Sequence, residues 1–352
     1  MKRICLIASA FVLLFLLLPV SAAEQEVKPG LSLGAKRSET PDWFKQSFLE
    51  FEDDVAEAAA EGKRVMLYFH QDGCPYCARM VEENFLDPDI RASIQQHFDA
   101  ISINMWGDRE VVSFGGQGFS EKTFAAALRV QYTPTIVFLD EQGQVALRLD
   151  GYYPTERFQL ALAYVAERRN DQVSFSEYVR DDQKSRESLL ISEDFYQKRG
   201  QLNSLVGEGK ALAVYFESAD CADCQVMHEK ILQDQTTRNL VIKLNNSQLD
   251  IYSEQKITTP TGRQTTAREW ARDLDISYTP SVVFFDSQGL EVMRMAAFFK
   301  TFHFQSAYAY VIDKAYLTEP SFQRFIAQRA EAIREAGFDT DIWGYESRHP
   351  PL

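Results

Sequence analysis

Cysteine is scarce in this chain, with five among 352 residues. That is too few for a disulfide-stapled scaffold, and a chain of this length buries enough core not to need one. Positive charge is also short: the formal net charge is −14. Such a balance argues against nucleic acid and against anionic membrane surfaces as partners. No apolar run beyond the first two dozen residues is long enough to span a bilayer. No cysteine stands directly after that first run, Cys5 lying near its start, so a lipid anchor at its end is not expected. What is present is ordinary for a globular chain, 45% apolar and 25% charged, with length enough for about two domains.

The first residues address the compartment. Lys2 and Arg3 precede an apolar or small run from Ile4 to Leu18, and Ser21, Ala22 and Ala23 supply small residues for cleavage. This is the pattern of a secretory signal peptide over residues 1–23. The alternative is an uncleaved anchor over Ile4 to Ala23. Either way the rest of the chain is expected outside the cytosol, with no stable membrane insertion once the signal is removed. Cys5 would leave with it, and the mature chain would keep only Cys74, Cys77, Cys221 and Cys224.

Those four fall into two C-x2-C pairs, and the pairs belong to a repeat. Tyr68-Phe69, Cys74, Cys77 and Met80 recur 147 residues later as Tyr215-Phe216, Cys221, Cys224 and Met227. Tyr132-Thr133-Pro134, Gly143, Arg148 and Ala163-Tyr164-Val165 recur 146 residues later as Tyr278-Thr279-Pro280, Gly289, Arg294 and Ala309-Tyr310-Val311. A period this long is a duplicated domain, not a solenoid.

Within the first copy, Trp43, Phe44, Phe48, Phe51 and Val55 fall at helical spacing. Arg64 to His70 reads as a strand, Pro75 to Phe85 as a helix, and Phe98 to Met105 as a strand. Ser120 to Val130 reads as a helix capped by Ser120. Thr135 to Asp140 and Val145 to Leu149 read as a hairpin about Glu141-Gln142-Gly143, and Thr155 to Arg168 as a closing helix. The second copy follows the same order.

C-x2-C at a strand-to-helix junction, followed by Thr-Pro before a hairpin, resembles the thioredoxin fold. The run Phe69-His70-Gln71-Asp72-Gly73-Cys74-Pro75-Tyr76-Cys77 with Thr133-Pro134-Thr135 is similar to bacterial periplasmic thioredoxin-like proteins of the SoxW type. The resemblance covers about residues 41–170 and 192–315. It implies two tandem thioredoxin-like domains, each a mixed central sheet flanked by helices, in an exported, periplasmic protein. The expected layout is a signal peptide at 1–23, a flexible lead at 24–40, domain one at 41–170, a connector at 171–191, domain two at 192–318, and a C-terminal helix and tail at 319–352.

The chemistry of the motif follows from where the sulfurs sit. A thiolate, not a thiol, attacks a disulfide. Cys74 lies just ahead of a helix, where unpaired N–H groups and the helix dipole favour negative charge. It is the candidate nucleophile, and Cys77, one turn on, the resolving thiol. Pro75 removes nothing from that donor set, and Tyr76 is expected partly exposed beside the sulfurs. The resemblance implies that Pro134 is cis and faces the cysteines, that Thr133 offers its backbone to an extended substrate, and that Gly151 lines the groove. Thr279 and Pro280 repeat the pattern in domain two, but Ala297 stands where Gly151 would recur. Two alternatives for the cysteines are a zinc site, for which each domain lacks four clear ligands, and purely structural disulfides, which close too short a loop to restrain the unfolded chain much. No cofactor is called for.

The two copies are not equal. Asp220, Asp223 and Glu217 surround Cys221 and Cys224 in sequence, and carboxylates near a sulfur disfavour its thiolate. His228 offsets this only if protonated, and reads more simply as a solvated helix histidine. Both copies place tyrosine, Tyr68 or Tyr215, where thioredoxin carries a buried acid. The reading is an exported thiol–disulfide oxidoreductase acting on exported proteins through Cys74 and Cys77, with Cys221 and Cys224 as a second, less active pair. A reducing role would require a membrane electron donor. The alternatives are a disulfide oxidase or isomerase, and a partner-binding protein whose second domain is redox-silent.

Overall fold

The computed structural model describes residues 28–180, 190–197, 200–207 and 209–350. The signal peptide, the first residues of the lead, and residues 181–189 of the connector lie outside these.

Each repeat builds a four-stranded mixed sheet. In the first domain the order across the sheet is Phe98–Asn104, Arg64–His70, Thr135–Leu139, Val145–Asp150. The first two strands pair in parallel and the others antiparallel. The second domain repeats this with Asn245–Asp250, Leu212–Glu217, Ser281–Phe285 and Glu291–Met295. The central strand Arg64–His70 is apolar without alternation because it is buried on both faces. Met66 and Tyr68 enter one core cluster, while Val65, Leu67 and Phe69 enter another. Leu212–Glu217 divides in the same way. Burying each large apolar side chain contributes about 1.5–3 kcal/mol.

Several sequence expectations need correction. The first helix spans Phe51–Ala60 and does not reach back to Trp43. Leu49 has φ +63°, which breaks any helix upstream. The helically spaced aromatics serve different purposes: Phe44 enters one cluster, Phe51 the other, and Phe48 is exposed. An additional helix, Pro88–His97, lies between the expected helix ending at Phe85 and the strand beginning at Phe98. The Asp87 carboxylate accepts N–H groups of Asp89 and Ile90, and Pro88 suits the first turn. A small hairpin, Glu110–Ser113 with Gln117–Ser120, fills the stretch before the helix Glu121–Ala127.

The described parts of the lead and tail are paired with each other, where free segments were expected. Ser32–Leu33 pairs in parallel with Thr340–Asp341. Arg334 donates to the Gly30 carbonyl at 3.0 Å. The connector also begins as structure, with the helix Phe175–Tyr178 burying Phe175 in the first core. The C-terminal helix Phe322–Glu335 is capped by Ser321 and packs on domain two. It reaches domain one as well, since the Phe322 N–H and the Gln323 amide both bond Gln131.

Candidate active site

Both cysteine pairs sit at the junction the repeat places them in, between a central strand and a short helix, Pro75–Arg79 or Ala222–Val226. Gly73, with φ +73°, makes the last turn before Cys74. Both pairs are disulfide-bonded, with Cα separations of 5.2 and 5.1 Å. Cys74 caps its helix, its Sγ accepting the Cys77 N–H at 3.0 Å, and Cys221 does the same with Cys224 at 2.9 Å. An N–H donor at the start of a helix thus points at the leading sulfur of each pair. Each short helix runs on into a π-helical turn, Met80–Phe85 or Met227–Ile231.

The Thr133–Pro134 and Thr279–Pro280 peptide bonds are both cis. The Thr133 hydroxyl donates to Cys74 Sγ at 3.4 Å, and its carbonyl oxygen lies 3.4 Å from the same sulfur. In domain two the Thr279 hydroxyl pairs instead with that of Ser218. Gly151 closes the same corner of domain one, its N–H donating to the Pro134 carbonyl at 2.7 Å.

The surroundings of the second pair differ from the sequence expectation. Glu217 is buried and engaged with the His228 Nε2 at 3.0 Å, the Gln248 amide at 3.1 Å and the Tyr196 hydroxyl at 3.2 Å. His228 is 2% exposed, not solvated, and its Nδ1 meets Glu193 at 2.9 Å. Burial alone would lower the histidine's pKa, but the bonds and charges of Glu217 and Glu193 overcome this and raise it. Asp223 is bonded by the Tyr278 hydroxyl and lies in the field of Arg79 from domain one. Of the three carboxylates, two are therefore matched. The buried tyrosines also diverge. The Tyr215 hydroxyl pairs with that of Tyr308, whereas the Tyr68 hydroxyl has no partner among the described residues.

The two active faces are turned toward each other. Tyr76 is not exposed but 6% accessible. Its hydroxyl accepts the Lys300 N–H at 2.9 Å, and its ring meets Trp343 at 4.8 Å and His303 at 5.5 Å. A Cβ built at Gly151 would collide with that of Ala297, the residue 146 positions on. Tyr132 of domain one enters the second core, packs its ring tilted against Phe299 at 4.6 Å, and donates to the Arg294 carbonyl at 2.5 Å. Tyr278 enters the first core and lies 4.9 Å from Tyr153, whose hydroxyl pairs with Ser277 at 3.1 Å. Tyr132 with Phe299 and Tyr278 with Tyr153 are one pair seen twice through the repeat, so the contact is isologous in kind, like a two-fold dimer interface. Sequence reasoning quoted Tyr132 and Tyr278 as repeat markers but gave them no role. It missed Tyr153, Lys300, His303 and Trp343 entirely.

The model of the thioredoxin-like domain family matches residues 51–166 and 199–312, and the chain belongs to that family. No curated protein matches significantly. Among solved structures, a thioredoxin-fold protein from Helicobacter pylori is 25% identical, with a TM-score of 0.29, covering 39% of this chain and 88% of its own. A thioredoxin from Thermus thermophilus is 30% identical, with a TM-score of 0.26, covering 33% of this chain and 82% of its own.

Proposed function

We propose that this chain is an exported thiol–disulfide oxidoreductase that reduces disulfides of exported proteins through Cys74 and Cys77. The observation that carries the reading is a helix-capping Cys74 sulfur held 3.4 Å from both oxygens of Thr133, beside the Pro134 bond. After reduction, the Cys74 thiolate attacks one sulfur of a substrate disulfide, and the other substrate sulfur leaves as a thiolate. Cys77 then attacks Cys74 in the mixed disulfide, which releases the reduced substrate and restores the Cys74–Cys77 bond. Cys221 and Cys224 serve as a second pair that passes electrons to the first. The N-terminal apolar run and the likeness to SoxW-type proteins support export and the reducing direction, with a membrane thiol donor as the source of electrons.

Replacing Cys77 with alanine removes the resolving thiol. Expression with the N-terminal segment intact should then leave exported proteins disulfide-linked to Cys74. Recovery of none, with Cys74 alkylated readily by iodoacetamide, would overturn the reading. A reduction potential near −120 mV, the range of strong oxidants, in place of about −270 mV would reverse its direction.

A further inference from the structure

The four sulfurs are not equally reachable. Cys74 is 5% exposed, Cys77 0% and Cys224 3%, whereas Cys221 keeps a partly open surface. The residues between the cysteines show the same contrast. Tyr76 is buried under domain two, while Ala222 is exposed and Asp223 half-buried.

What covers the first centre comes from two directions. Domain two brings Ala297 into the space beside Gly151 and sets Lys300 and His303 against Tyr76. The described lead and tail add a strap. Ser32–Leu33 and Thr340–Asp341 pair, the Lys36 N–H donates to the Gly73 carbonyl beside Cys74 at 3.3 Å, and Trp343 lies on Tyr76. Lys300 Nζ fastens the strap from beneath, 4.7 Å from the Trp343 ring centre and 3.8 Å from that of Tyr345. The Tyr345 carbonyl accepts the Thr301 hydroxyl at 2.8 Å, and the Ser347 N–H reaches Asp234 at 3.0 Å. The second centre is covered less: Asp223 is bonded by Tyr278 and lies near Arg79 of domain one, yet it stays half-buried, Ala222 is exposed and Cys221 is partly open.

We infer that, in this closed arrangement, Cys221 is the sulfur that external thiols attack first, and that the Cys74–Cys77 centre is latent until the strap lifts and the two faces part. The inference rests on the oxidoreductase reading above. The step is ordinary exchange with a dithiol. One thiolate of the dithiol attacks Cys221 Sγ, the Cys221–Cys224 bond breaks, and Cys224 leaves as a thiolate that takes up a proton. The second thiol of the dithiol then displaces Cys221. The dithiol ends as a disulfide, and the protein pair has gained two electrons and two protons. The same reagent reaches Cys74 only through an opened form, whose small population scales down the rate.

This order is read directly. The oxidised full chain is exposed to dithiothreitol for graded times at 0.15 M salt, quenched in acid and alkylated with iodoacetamide. Mass spectrometry of the peptides then reports each pair separately. Cys221–Cys224 should be reduced at least about tenfold faster than Cys74–Cys77. Trp343→Ala should speed reduction of the first pair severalfold and leave the second unchanged, with Trp343→Leu as the milder replacement should alanine impair folding. Equal or reversed order in the intact chain, or a first-pair rate that ignores both Trp343 variants, overturns the inference while leaving the oxidoreductase reading in place. Failure of the dithiol to reduce either pair overturns both.

Discussion

The hydroxyl of Tyr76 accepts the backbone N–H of Lys300 at 2.9 Å, joining the dipeptide between Cys74 and Cys77 to a point 224 residues further along. A side chain that would ordinarily greet substrate is spent on the sister domain. Lys300 itself is half-buried, and its ammonium is held below the usual lysine range by burial and by the nearby Arg79 charge.

Tyr76→Phe should therefore loosen the closure without disturbing the cysteines. Losing one hydrogen bond costs about 0.5–1.5 kcal/mol, and the stranded Lys300 N–H raises that toward about 1–3 kcal/mol. A lower thermal midpoint, together with faster reduction of Cys74–Cys77, is the expected pair of results. A lower midpoint alone would mean that Tyr76 stabilises the fold without guarding the sulfurs.

Gly151→Ala should be destabilising for two separable reasons. The position has φ +86°, and the new methyl would meet Ala297. The backbone part costs about 1 kcal/mol and the overpacking about 1–3 kcal/mol. Adding Ala297→Gly should recover the second part and not the first, which a double-mutant cycle in denaturant unfolding will show as coupling between the two sites.

His228→Gln should damage domain two heavily, because it leaves Glu217 buried without its cation. Breaking such a pair costs about 3–5 kcal/mol. The wild type should also show a pH signature. The histidine's folded pKa is raised above 6.5, so its stabilisation is complete below about pH 6.5 and is lost as pH rises through the folded value. The variant should lack that slope in a series of melts from pH 6 to 9.

His303 should respond on the acid side. Burial pushes its pKa down to about 4, and its Nδ1 has no hydrogen-bond partner among the described residues. Between about pH 6.5 and 4 the unfolded or opened chain binds a proton that the closed one refuses, so closure weakens as pH falls through that window. His303→Phe should flatten the dependence, read as the thermal midpoint at pH 7.5 against pH 5.

Much of this was legible in the residues. The repeat gave the two domains, because equivalent cysteines, Thr-Pro pairs and central strands must recur together when a fold is duplicated. Arg64 to His70 was legible as a strand, and the resemblance implied helices on both sides of its sheet, which its burial on both faces matches. The helix at Pro88 was hidden because Asp-Pro serves equally as a turn and as a cap with a first-turn proline. His228 was misread because its partners, Glu217 and Glu193, lie 11 and 35 residues away and only folding brings them together. The closed face was least visible. Ala297 in place of glycine suggested an altered groove, but its role is to fill the groove of the other domain. Tyr132 and Tyr278 carried the one available signal: an aromatic kept in both copies just before the proline loop.

The most direct test of the account is dithiothreitol-driven reduction of insulin by the full chain, compared with Cys74→Ser and Cys221→Ser. Catalysis by the wild type, abolished by Cys74→Ser and slowed by Cys221→Ser, is the predicted result. Undiminished turnover in Cys74→Ser, or none in the wild type while both disulfides are reduced, would contradict it.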